Sequence, residues 1–212
     1  MNTIFRCAVR SFALTAVLSC AIALANPDPW LIPPDGLSGK ITQRTSEIDL
    51  IQAFGKEHVT KGSYYVGEDI EIPGTILYPD EPAKRLELTW KDKHLKRAPE
   101  QVHIYGEKSL WHTAKGITLG TSLNELELLN GRPFRLIGFD IDYQGTVLSW
   151  NGGLLEKDFK TNHHLTIRLK PPLKTNATPE ELASLGGAEF SSDNAAMKKV
   201  NPKVYEIVWA FQ

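Results

Sequence analysis

The chain has 212 residues, 24 of them lysine or arginine and 25 aspartate or glutamate. Its net charge is therefore close to zero, which argues against a surface built to neutralise nucleic-acid phosphates. Hydrophobic residues make up 42% and charged residues 23%, the composition of a folded domain and not of a disordered, collagen-like or multi-span membrane chain.

Residues 1–25 read as an export signal. Arg6 and Arg10 precede an apolar stretch from Phe12 to Ala25 that is too short to span a bilayer stably, and Ala23-Leu24-Ala25 ahead of Asn26 offers the small residues a signal peptidase admits. The expected location is the periplasm. In an alternative reading, Val17-Leu18-Ser19-Cys20 loosely follows a lipobox, and a lipid on Cys20 would anchor the chain in the outer membrane. The two cysteines, Cys7 and Cys20, both precede Ala25. A chain cleaved there has no thiol nucleophile, disulfide or cysteine-based zinc site.

Residues 26–44 form an extended arm, because Pro27, Pro29, Pro33 and Pro34 forbid a helix around Trp30. From residue 45 to 212 the pattern predicts one α+β domain, an antiparallel β-sheet with short helices packed on one face. Thr45 or Ser46 caps a short helix carrying Ile48, Leu50, Ile51 and Phe54, which Gly55 closes in the left-handed conformation. Thr75 to Tyr78, a turn at Pro79-Asp80-Glu81-Pro82, and the alternating Leu86, Leu88 and Trp90 predict a half-buried antiparallel strand pair. Gln101 to Tyr105 and Ser109 to Thr113 predict a hairpin turning at Gly106-Glu107-Lys108.

Ser122 with Glu125 three residues on is a capping box, and Leu123, Leu126 and Leu129 make an apolar stripe that ends at Asn130-Gly131. Phe134 to Asp142 and Gly145 to Trp150 predict a second hairpin, turning near Gln144-Gly145, and Gly152-Gly153 breaks the run. A strand from His164 to Leu169, a helix opened by Thr178-Pro179 and stopped by Gly186-Gly187, and a last strand from Val204 to Phe211 complete the chain.

Ser46 to Gly55 aligns without gaps on Ser122 to Gly131, and strand-forming segments follow each, giving repeat units 45–92 and 116–153 whose spacing drifts. Such a duplication would fuse two helix-then-meander units into one sheet. The pattern carried by Gly120, Ser122, Glu125, Leu126, Leu129 and Gly131 resembles the helix-plus-strands repeat of the β-lactamase-inhibitor proteins and of the small outer-membrane assembly lipoproteins. The stretch from Gly116 to Gly153 is also similar to a family of uncharacterised exported bacterial proteins. These resemblances imply an exported α+β fold and, for the first two groups, an inhibitory or assembly role. The chain departs from the inhibitors in having no disulfide pair outside its leader.

The six histidines, His58, His94, His103, His112, His163 and His164, lack the spacing of helical zinc hydrolases and form no His-x-His pair. His103 and His112, on strands expected to be adjacent, would face each other across the hairpin. Asp140 to Gly145 follows the first six places of a calcium loop, but position twelve is Asn151 in place of the bidentate glutamate, so no metal is expected. There is no Gly-x-Ser-x-Gly elbow, no phosphate-binding glycine loop and no cofactor motif. Four of the five tryptophans, Trp90, Trp111, Trp150 and Trp209, fall in alternating segments and are expected in the core, with Trp30 exposed.

These absences point to a non-catalytic binding or interaction protein of the cell envelope. It would present its sheet face, or the loops bearing Asp140, Asp142, Tyr143, Trp150, Lys93, Lys96 and Arg97, to an envelope protein or polymer; no nucleic acid or transmembrane span is expected. The alternative is a glycan hydrolase using Asp140 or Asp142 with Glu125, Glu156 or a histidine in a cleft lined by Trp150 and Tyr143. A further alternative is a scaffold anchored through lipidated Cys20.

Overall fold

The Ser122–Glu125 capping box read from the sequence is present in the computed structural model, which describes residues 28–32, 40–66, 70–106, 108–140, 144–161 and 165–211. The leader with Cys7 and Cys20 lies outside the described residues, as do Asp142, Tyr143, His163 and His164. Ser46 caps α1 (Glu47–Phe54) and Ser122 caps α2 (Leu123–Asn130); each hydroxyl accepts the backbone N–H three residues on, and Asp49 or Glu125 reaches back to the cap. These bonds hold both carboxyls below the usual carboxylate range. Gly131 ends α2 in the left-handed conformation, but Gly55 ends α1 at φ 95° and ψ 145°, outside it. The chain there enters a 3-10 turn, Lys56–His58, and does not reverse. Ser122 is buried at the cap, so Ser122→Ala is expected to cost about 1 kcal/mol, read as a lower urea midpoint at unchanged slope.

Eleven strands are described. β1 (Leu31–Ile32) belongs to the proline arm and pairs in parallel with β6 (His112–Thr113). β2 (Val59–Val66), β3 (Ile70–Leu77), β4 (Leu86–Asp92), β5 (Arg97–Tyr105), β9 (Leu165–Lys170) and β11 (Lys203–Ala210) make an antiparallel six-stranded sheet in the order β2-β3-β4-β5-β11-β9. β7 (Arg135–Ile137) and β8 (Val147–Ser149) form the expected second hairpin, completed to three strands by β10 (Glu189–Ser191). α3 (Leu154–Thr161), α4 (Pro179–Ala183) and α5 (Ala195–Val200) complete an α+β fold with mostly antiparallel sheets. No helix among the described residues is long and apolar enough to cross a membrane.

Three expectations are corrected. The strand at Gln101 does not form a hairpin with Ser109 to Thr113: β5 begins at Arg97 and pairs with β4 and β11, so the basic loop is itself the hairpin turn. Buried Trp111 donates its indole N–H to Lys84 O, and His112 N donates to Trp30 O, drawing that segment to β1 instead. His103 and His112 therefore do not face each other. The two repeat units diverge after their helices, one feeding the six-stranded sheet and the other the three-stranded one, so no single merged sheet forms from them. Finally β4 is not half-buried, since Leu86 to Trp90 are buried on both faces.

Paired residues across antiparallel strands share a face. Leu88 opposite Val102, Val102 opposite Trp209, and Ile104 opposite Ile207 opposite Ile167 line the apolar face. The other face carries Thr89 opposite Gln101, Glu87 opposite His103, and Tyr105 opposite Glu206 opposite Arg168.

Candidate functional site

The polar face is covered by the outer half of the β2–β3 hairpin. β3 pairs with β4 only from Gly74 to Leu77, leaving the outer residues to pair with β2. Gly62 and Gly74 oppose each other where that pairing stops. A Cβ on Gly74 would lie 2.6 Å from Leu88 O and one on Gly62 2.5 Å from Ile76 Cγ1, so this bend requires glycine. In a flat sheet β2 and β5 would stand about 14 Å apart, three intervals of ~4.8 Å. Instead Tyr64 of β2 stacks on His103 of β5, ring centroids 3.9 Å apart and planes at 28°.

Beneath the hairpin, His103 is 1% exposed and Glu206 5%. His103 Nδ1 donates to Glu206 Oε1 at 2.8 Å, and Nε2 lies 3.0 Å from Gln101 Oε1. Arg168 Nη1 donates to Glu206 Oε2 at 2.7 Å and approaches Tyr64 Oη at 3.5 Å. Burial pushes the Glu206 carboxyl up, but the bond from His103 and the Arg168 charge outweigh it and hold the group below its ordinary value. Burial pulls the Arg168 guanidinium down, and the Glu206 charge reverses this. Both carboxylate oxygens and both imidazole nitrogens of this network have partners.

The network opens to solvent at a mouth of about 470 Å³ lined by Ser63, Tyr64, Tyr105, Arg168, Lys170 and Tyr205, within the range of small-ligand sites, roughly 300–1,000 Å³. Tyr205 reaches it through a β-bulge: the β11–β9 register shifts between Val204 and Glu206, leaving Tyr205 without a partner on β9. Lys170 Nζ lies 5.6 Å over the Tyr205 ring. Burial raises the Tyr105 hydroxyl above its usual range, reinforced by its hydrogen bond to Glu87, and burial followed by the Glu206 charge raises Tyr205. Both phenols stay neutral, and that of Tyr105 donates to Glu87. With Glu206 neutralised by Arg168, Lys170 leaves the mouth a net positive charge.

The residues singled out from the sequence lie elsewhere. Asp140 is exposed at φ 85°, and its Oδ1 accepts Gly187 N at 2.8 Å, fastening the β7–β8 hairpin to the turn after α4. Trp150 is 4% exposed, its ring packed between Phe134 and Phe159 at 5.0 and 4.8 Å, so it lines no cleft. Glu125 is spent on the α2 cap, and Glu156 accepts Trp150 N at 3.1 Å. In the basic turn Lys96 pairs with Glu47 at 2.6 Å and Arg97 with Asp92 at 3.0 Å, while Lys93 is exposed. Trp30, expected to be exposed, packs edge-on against Trp111 at 5.3 Å. Among the described residues no group of three or more His, Cys, Asp or Glu is arranged to hold a metal ion.

The sequence reading passed over Tyr64, Tyr105, Arg168, Tyr205 and Glu206. For Tyr105, Arg168, Tyr205 and Glu206 the signal is a charge or tyrosine in strands otherwise rich in apolar residues; Tyr64, on glycine- and serine-bearing β2, has none. No protein-family model, curated protein or solved structure matches the chain.

Proposed function

We propose that the chain is a non-catalytic binding protein of the cell envelope, exported to the periplasm, whose ligand presents a carboxylate to the mouth on the rolled six-stranded sheet. The observation that carries this reading is the mouth itself, three tyrosines with Lys170 and Arg168 around an opening of about 470 Å³. Its chemistry is recognition without turnover. A general base or nucleophile must reach its substrate within hydrogen-bond distance, whereas His103 is enclosed and Glu206 is held by two partners. Neutral phenols and the net positive charge of Lys170 suit an acidic group of an envelope protein or polymer.

The test is calorimetric titration with glutarate and with tetragalacturonate, each against an uncharged amide analogue. Acids are expected to bind, more weakly as salt rises, and Lys170→Glu to weaken them by about tenfold. Amides binding as well as the acids, or an indifferent Lys170→Glu, would remove the reading.

A further inference from the structure

The wall of the mouth formed by Ser63 and Tyr64 is also an edge of the sheet, because no strand among the described residues pairs with the outer side of β2. In an antiparallel pair, alternate residues exchange hydrogen bonds with the partner, and those between them direct N–H and C=O away from it. Tyr78 N donates to His58 O at 2.7 Å, which sets the phase: Thr60, Gly62 and Tyr64 bond to β3, and Lys61, Ser63 and Tyr65 turn their backbone groups outward. Pro73, which has no N–H, lies opposite Ser63 in agreement with that phase. From Lys61 to Tyr65 the free edge runs about 14 Å at ~3.4 Å per residue. It carries the cation Lys61, and Lys170 and Arg168 stand in the mouth it borders.

We propose that the partner is an extended acidic peptide segment that adds to the outer edge of β2 as a further strand and lays a carboxylate side chain against Lys170 and Arg168 in the mouth. This rests on the carboxylate-binding reading above and names the source of the carboxylate. The edge supplies backbone donors and acceptors at the repeat of a peptide strand, which a polysaccharide does not match. Alternate side chains of an added strand point to one face about 7 Å apart, so one acidic residue enters the mouth between Tyr64 and Tyr205 while its neighbours face outward. With the charges of Arg168 and Glu206 cancelling, the positive charge of Lys61 and Lys170 selects an acidic segment over a basic one.

The experiment uses the full protein and a fluorescent eight-residue peptide alternating glutamate with valine. Its comparators are a copy N-methylated at alternate residues, a copy with glutamine for glutamate, and free glutarate. Ser63→Pro is the protein variant, since a proline there removes an outward N–H without taking a bond from β3; an unchanged melting temperature establishes that it folds. Strand addition predicts that N-methylation, the glutamine exchange and Ser63→Pro each weaken the peptide by about tenfold. If the methylated and unmethylated peptides bind alike and glutarate still binds, strand addition is overturned and the carboxylate site stands. Binding of neither peptide nor glutarate overturns both.

Discussion

Replacing Glu206 by alanine is expected to destabilise the protein by about 3–5 kcal/mol in urea unfolding, with the midpoint moving and the slope holding. The carboxylate is the only described group bonded to both His103 and Arg168. Removing it takes a bonded carboxylate from the guanidinium beneath the β2–β3 hairpin. Glu206→Gln keeps the shape and one acceptor and is expected to cost less. A loss under 1 kcal/mol for the alanine variant would mean that water from the mouth replaces the carboxylate at Arg168 and His103.

The same carboxylate sets part of the acid limb. Its folded value lies below the ordinary 4.5, so the unfolded chain takes up the proton first on acidification. The stability it contributes is fully present above that ordinary value and is lost as pH falls through the depressed one. In Glu206→Gln this share of the acid-dependent loss disappears, and the wild-type and variant stability curves converge at low pH. Curves that stay parallel from neutral pH to acid would contradict the His103–Glu206–Arg168 geometry.

Trp90→Ala is the second large effect, expected at about 3–5 kcal/mol. The ring is fully buried against the apolar face, and its Nε1–H donates to Thr75 Oγ1 at 3.0 Å. Thr75 in turn donates to Glu47, which also receives Lys96. The substitution therefore opens a cavity and removes a bond from a chain that ties α1 to the sheet and to the β4–β5 turn. Trp90→Phe keeps most of the volume and loses the donor. Its expected cost is under half that of alanine, and equal losses would show that the hydrogen bond, and not the volume, carries the site.

What could be read in the sequence was local. Ser122 with Glu125 is a signal complete within four residues and appears as a cap with the expected bonds, and the helix starts read at Thr45 or Ser46 and at Thr178 close the same box, with Asp49 and Glu181. Alternation at Leu86 to Trp90 and at Val204 to Phe211 located two strands. It could not show that β4 is covered on both faces, because the cover is a hairpin whose own strand, Val59 to Val66, has glycine and serine in place of an apolar alternation. The mouth was illegible for the same reason. Tyr64, Tyr105, Arg168 and Tyr205 come from four strands, and only the bend at Gly62 and Gly74 and the bulge at Tyr205 bring them together. Asp140, by contrast, stood out because acids cluster there in the sequence, and its carboxylate proves to be a fastener between two turns.

The place of β11 bears on the order in which the molecule can be made. This strand follows every other described element in the chain, yet it lies in the sheet between β5 and β9. A chain leaving the ribosome has β2 to β5 in hand early, while His103 waits for a carboxylate that comes 103 residues later. β9 has no neighbour in that sheet until Lys203–Ala210 arrive. Contacts this distant in sequence make for slow closure. Closure of the sheet therefore waits for β11, and β9 stays unjoined to β2–β5 until that strand has emerged.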